Sequence, residues 1–212
     1  MGIRTAAIIG GGSFGTVTAN ILADNNIQAI QWLRNQDIAD SINQQHVNEQ
    51  YLPGIALNPS LKATTVIEEA VVGADVIFVT VPSKSVRDVI SGFAHLISPQ
   101  QALVSTTKGI EPDGFLLMSQ VIREVFPDNP VGVLSGPNLA KEIARKELAG
   151  TVIASENSDL RRDIQEALSC DYLRVYASND VYGVELGGAL KNIYAIVSGF
   201  VAALGMGENT KS

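Results

Sequence analysis

The sequence predicts an α/β protein: a mostly parallel β-sheet with helices on both faces, followed by the start of an all-helical segment. Short apolar runs alternate with amphipathic stretches through the first 178 residues, as they do when strands are joined by helical crossovers. Several of these runs are continuously apolar, as strands buried on both faces must be. After Ser178 the character changes, and Val181 to Leu204 is nearly apolar around a whole helical circumference.

The elements follow in order. Thr5 to Ile9 is an apolar strand, and Phe14 to Asp24 has apolar residues three and four apart, which is a helical spacing. Ile27 to Trp32 is the second strand. The polar segment Asn43 to Pro59, carrying Tyr51-Leu52-Pro53-Gly54, reads as an irregular excursion over the surface. Strands are then expected at Leu61 to Thr64, Asp75 to Val81, Ala102 to Thr106, Val131 to Leu134, Thr151 to Ala154 and Leu173 to Tyr176. Helices at Val66 to Val72, Ser85 to Leu96, Phe115 to Val125 and Ser158 to Leu168 lie between them, each able to serve as a right-handed crossover. Asn179-Asp180 can cap the final helix. The organisation expected is therefore one domain over 1–178 and the first helix of a helical domain over 179–212.

Composition bounds the function. A chain of 212 residues, 46% hydrophobic, has material for one domain and part of a second. Its net charge of −7 disfavours nucleic acid and anionic membrane as partners. Cys170 has no second cysteine to pair with, and His46 and His95 are far apart, so no metal site is expected and a reducing cytosol fits. Met1-Gly2-Ile3-Arg4 leads directly into the first strand without the pattern of a secretory signal, which points to the cytoplasm. The apolar segment Ile193 to Leu204 is shorter than the roughly 20 residues that span a bilayer, so membrane insertion is not expected.

Gly10-Gly11-Gly12-Ser13-Phe14-Gly15 satisfies G-x-G-x-x-G between a strand and a helix, the context in which that motif binds a dinucleotide in a Rossmann-like fold. Gly10 permits the tight turn, Gly12 lets the backbone approach a pyrophosphate, and Gly15 allows close packing of helix on strand. At the end of the second strand, where enzymes selecting NAD carry an acid, this chain has Arg34. A guanidinium can grip a 2′-phosphate, so NADP is the expected cofactor, with nearby Asp37 leaving NAD use open.

Two further strand ends release polar residues, Pro82-Ser83 and Thr107-Lys108-Gly109, at the edge where open α/β sheets bind ligands. Lys108 is placed to meet a phosphate or a substrate oxygen. In Ser135-Gly136-Pro137-Asn138-Leu139-Ala140, Asn138 is a candidate helix cap, and Gly136 would let an anion approach the free N–H groups there. Glu185-Leu186-Gly187-Gly188-Ala189-Leu190-Lys191-Asn192 puts two glycines and a lysine inside an apolar helix. Each such glycine costs about 1 kcal/mol relative to alanine. Gly187 and Gly188 share the face of Lys191 and should leave a slot beside its amine. Partial burial would lower the Lys191 pKa toward the range useful for proton transfer, with Asn192 able to hold a substrate hydroxyl and Glu185 a structural or solvent-facing carboxylate.

Taken together, these motifs resemble the bacterial NAD(P)-dependent glycerol-3-phosphate dehydrogenases, over essentially the whole chain. The resemblance implies an oxidoreductase that interconverts dihydroxyacetone phosphate and sn-glycerol 3-phosphate by hydride transfer, supplying glycerophospholipid synthesis. It implies Lys191 as the proton acceptor, Ser13, Phe14, Arg34, Lys108 and Ala140 as cofactor contacts, and Lys108, Gly136, Asn138 and Lys191 as substrate contacts. Phe14 stands where a tryptophan is common in the family. The family also uses an aspartate and an arginine–asparagine pair further downstream, which this sequence does not reach, so weak or no turnover is expected of it. The uncovered apolar helix predicts self-association. Two other readings remain open: a related hydroxyacid or phosphate dehydrogenase, and a dinucleotide-binding module without catalysis.

Overall fold

A computed structural model describes residues 2–207. Its strands are β1 (Thr5–Ile9), β2 (Gln28–Trp32), β3 (Lys62–Thr64), β4 (Val76–Val79), β5 (Ala102–Ser105), β6 (Val131–Ser135), β7 (Ala149–Ser155) and β8 (Leu173–Ser178). The helices are α1 (Ser13–Asp24), α2 (Gln36–Gln45), α3 (Ile67–Val71), α4 (Val86–Phe93), α5 (Met118–Val125), α6 (Ala140–Ala144), α7 (Ser158–Leu168) and α8 (Val181–Ala203). Each strand falls on one of the apolar runs read from the sequence.

All eight strands form one sheet in the order β3-β2-β1-β4-β5-β6-β7-β8. From β1 the chain first builds outward to β2 and β3, then returns to place β4 on the other side of β1. Parallel register holds from β3 through β6, with Ala7 paired to Ile30 on one side and Ile77 on the other. Successive side chains point to opposite faces. Ile8, Phe78 and Val104 therefore join a core with Leu22 of α1 and Ile164 of α7, while Ile9, Ile77 and Leu103 join another with Ile90 of α4 and Val121 of α5. Both faces are covered, which explains the continuously apolar strands.

β7 runs antiparallel to β6 within the mostly parallel sheet, and α6 occupies only Ala140–Ala144 in the segment between them. Three local expectations need correction. The Asn43–Pro59 excursion begins inside α2, whose Ile38, Ala39 and Ile42 are the apolar anchors of an otherwise polar helix. Helix α5 starts at Met118 rather than Phe115, because Phe115 adopts a left-handed φ of 56° and is 84% exposed. Asn138 does not cap α6. Leu139 holds that position, and the Asn138 amide donates to the Gly150 carbonyl instead.

Asp180 caps α8 by accepting from Gly183 N, as its position suggested. The helix bends by 44° between Val181–Lys191 and Ile193–Ala203. Among the described residues no single helix is long and apolar enough to cross a membrane, and these two halves reach that length only together across the bend. The first half packs on β6 and β7. On the second half Ile193, Tyr194, Ile196 and Phe200 are exposed, so the apolar circumference that should be buried is largely uncovered.

Candidate functional site

The chain reverses direction of build between β1 and β4, and in such sheets the carboxyl ends of the strands at that reversal leave a crevice. Here it is a cavity of about 610 Å³, bounded by the glycine loop after β1, Arg34 and Asn35 after β2, Thr80 to Ser83 after β4, Thr106 to Lys108 after β5, and Ser135, Asn138 and Ala140 beyond β6.

The glycine loop fits a dinucleotide residue by residue. Gly10 has a φ of 134°, open to glycine but strained for other residues, and a Cβ there would lie 2.5 Å from Thr80 Oγ1. A Cβ on Gly15 would lie 2.5 Å from the Gly10 carbonyl oxygen, so helix α1 can approach the turn only without a side chain at that point. At Gly12, by contrast, a Cβ would meet nothing within 4 Å. That open space is where a pyrophosphate could reach the backbone. No side chain caps α1 and no acid stands in its first turn, which leaves the positive end of the helix for an anion. Phe14 lines the cavity beside it.

At the opposite side Lys108, half-buried, donates from Nζ to the Gly136 carbonyl at 3.0 Å. Burial, followed by the charge and a hydrogen bond of Lys191, lowers its pKa to about 8. The structure thus brings Lys108, Gly136 and Lys191 together, although they come from three distant parts of the chain. The ammonium that this packing depresses is that of Lys108. The predicted slot also divides. A Cβ on Gly187 would meet nothing within 4 Å, whereas one on Gly188 would lie 2.3 Å from Ser135 Oγ. Gly188 therefore serves close contact between α8 and the end of β6, and only the Gly187 side is open. The side chain of Asn192 lies outside the described residues.

Glu185 is structural, and it faces inward. It is 3% exposed, with Oε1 accepting from Ser119 N at 2.9 Å and Oε2 from the Ser119 hydroxyl, so it pins α8 to the start of α5. Burial raises its pKa against the lowering effect of those bonds. A folded pKa above the usual value of 4.5 means that this carboxylate's contribution to stability falls as pH rises through that window. Glu185→Gln, which can still accept from Ser119 N, should melt close to the parent and lose this pH slope. Glu185→Ala strands the buried donors and should cost roughly 1–3 kcal/mol. Thermal melts from pH 4 to 8 would check both.

The sequence reading missed the wall supplied by the excursion. Gln50 and Tyr51 line the cavity, and Ser13 Oγ donates to the Tyr51 carbonyl at 2.8 Å. The polar composition of that segment was visible, but not its return to the glycine loop.

Comparison with known proteins decides the family. Residues 5–161 match the family model described as the NAD-dependent glycerol-3-phosphate dehydrogenase N-terminus, and residues 180–212 match the C-terminus model. The chain belongs to this family. It is 51% identical over 209 residues to the glycerol-3-phosphate dehydrogenase [NAD(P)+] of Alcanivorax borkumensis, covering 99% of this chain and 61% of that protein. With the enzyme of the same description from Acinetobacter baylyi the identity is 53%, covering 97% of this chain and 57% of that protein. The chain thus spans about 60% of the length of these relatives. Among solved structures, the glycerol-3-phosphate dehydrogenase of Coxiella burnetii superposes with a TM-score of 0.88 at 33% identity, over 98% of this chain and 63% of that one.

Proposed function

We propose that this chain carries the cofactor site and the proton-transferring lysine of an NAD(P)-dependent glycerol-3-phosphate dehydrogenase. The observation that carries the reading is a single cavity with an uncapped helix N-terminus on one side and Lys108, backed by Lys191, on the other. Two anionic groups, a pyrophosphate and a substrate phosphate, can be held there at the same time. Residues 1–178 form the dinucleotide domain in this reading, and 179–212 open a helical domain. The protein would work in the cytoplasm and associate with itself or with further chain through the apolar face of α8.

A bound nicotinamide cofactor would supply the hydride exchange that interconverts glycerol 3-phosphate and its ketone. Lys191 accepts the hydroxyl proton as the alcohol becomes a carbonyl and gives it back in reduction. Lys108, Gly136 and Asn138 hold the substrate, and Ser13, Phe14 and Ala140 border the cofactor. Arg34, exposed on the rim, meets the adenosine end and favours a 2′-phosphate.

The test mixes the chain with NADPH and dihydroxyacetone phosphate while the absorbance of reduced nicotinamide is followed, beside titrations with NADPH and NADH. Consumption that requires both reactants supports the reading, and absence of binding by either dinucleotide overturns it. NADPH should bind more tightly than NADH. Loss of a charge-assisted contact is worth roughly 1.5–3 kcal/mol, so Arg34→Ala should weaken NADPH binding about tenfold or more while leaving NADH nearly unchanged.

A further inference from the structure

Gln31 is fully buried in β2, a polar side chain in a strand whose inward neighbours are apolar. Its Nε2 donates to the Gly10 carbonyl at 2.8 Å and to Thr16 Oγ1 at 3.1 Å. Asn48, 1% exposed in the excursion, does the same from the other side, its Nδ2 donating to the Gly11 carbonyl at 3.1 Å and to Thr16 Oγ1 at 2.8 Å. Two amides from distant segments thus grip consecutive carbonyls of the glycine loop and meet on one hydroxyl of α1.

The arrangement uses both amides as donors only. Gln31 Oε1 and Asn48 Oδ1 are buried and find no partner among the described residues. A buried acceptor left without a partner costs about 1–3 kcal/mol, whereas apolar residues of the same shape would avoid that cost. Simple core filling therefore does not account for amides at these two positions. Their effect on the loop does. No peptide among the described residues is cis, and in a trans peptide the C=O and the following N–H point in opposite directions. Fixing the Gly10 carbonyl turns Gly11 N–H the other way, and fixing the Gly11 carbonyl does so for Gly12 N–H, the residue with open space before it.

The excursion is anchored for this task. Asn48 accepts from both Tyr51 N and Leu52 N through its own carbonyl, and Val47 bridges to Ala56 at the base. The Ser13 bond to Tyr51 ties its tip to the first residue of α1.

We propose that Gln31, Thr16 and Asn48 are positioning residues for the dinucleotide: they hold the glycine-loop carbonyls back so that its N–H groups stand ready for the pyrophosphate. This rests on the cofactor reading above. Freed of these donors, either peptide can rotate, and the loop then has to be reordered on each binding event.

The test uses Gln31→Met and Asn48→Leu, which keep much of the side-chain volume and remove the donors, with Gln101→Met as control. Gln101 is likewise a buried amide that donates to two backbone carbonyls, those of Val71 and Ala74, but away from the glycine loop. All three should melt below the parent. Only the first two should raise the Kd for NADPH, by about fivefold at a temperature well below melting, if each loop bond contributes roughly 1 kcal/mol. Should either fail to fold, Thr16→Val and Thr16→Ser decide the matter, since serine keeps the shared hydroxyl and valine keeps the shape. Serine should bind NADPH several-fold more tightly than valine. Binding by the parent with a Kd within twofold in both amide variants, or equal Kd for the two Thr16 variants, overturns the positioning role. No binding by the parent overturns the cofactor reading itself.

Discussion

Gly15→Ala should weaken dinucleotide binding by about 100-fold and lower the melting temperature together. The added methyl would stand 2.5 Å from the Gly10 carbonyl oxygen and 2.6 Å from Thr80 Oγ1. Thr80 can rotate, although it would give up its 2.9 Å bond to the Ile9 carbonyl. The Gly10 carbonyl has less freedom, because Gln31 holds it from the side and its residue sits at a φ reserved for glycine. Relief must come from moving α1 off the turn. Overpacking of this kind costs roughly 1–3 kcal/mol, and because the displaced backbone is the proposed binding surface, the same displacement should weaken NADPH binding by about 100-fold. Gly12→Ala separates the two effects. Its φ of −73° suits alanine and its Cβ meets nothing within 4 Å, so it should melt like the parent while its methyl blocks the place of the pyrophosphate. A titration and a melt on each variant suffice. A Gly15→Ala protein with parental melting temperature would show that the close approach of α1 is not what this glycine provides.

Legibility in the sequence followed the range of the interactions. Strand positions depend on local apolar runs, and Ala7, Ile77 and Leu103 announced a buried parallel sheet through composition alone. The glycine loop was readable because turn, helix start and proposed anion site occupy six consecutive residues. The meeting of Lys108, Gly136 and Lys191 was implied by the family resemblance, not by any local pattern. What local sequence did not carry was the set of partners far along the chain. Asn48 looks like any polar loop residue until the excursion folds back under Gly11. Glu185 finds Ser119 across 66 positions, and nothing near either residue signals it. The antiparallel β7 follows from a connection in which α6 is too short to serve as a crossover, yet its Leu139-Ala140-Lys141-Glu142-Ile143 resembles the start of a longer helix. Gly188 illustrates the same limit at one residue. An interior glycine marks close approach, but whether to a ligand or to Ser135 is decided by the neighbour.

Lys191→Met should remove turnover while sparing the cofactor. A positioned proton donor contributes roughly 10²–10⁴-fold to such a reaction, so a loss of about a thousandfold in kcat is expected with the Kd for NADPH little changed. The measurement is best made both on this chain and on a chimera continued by the corresponding C-terminal residues of the Alcanivorax borkumensis relative. A second consequence follows from the proximity of the two ammonium groups. Lys108 is depressed to about 8 by burial first and by Lys191 second, so it is charged below that pH and loses its proton as pH rises through it. Binding of a phosphate-bearing ligand that depends on the charged form should weaken over the same interval, and Lys108→Met should bind poorly at every pH. Removing the Lys191 charge lifts one cause of the depression and leaves the other. In Lys191→Met the fall in affinity should therefore move to higher pH, even as catalysis disappears. A lysine acting only in proton transfer, far from Lys108, would abolish turnover without shifting that midpoint.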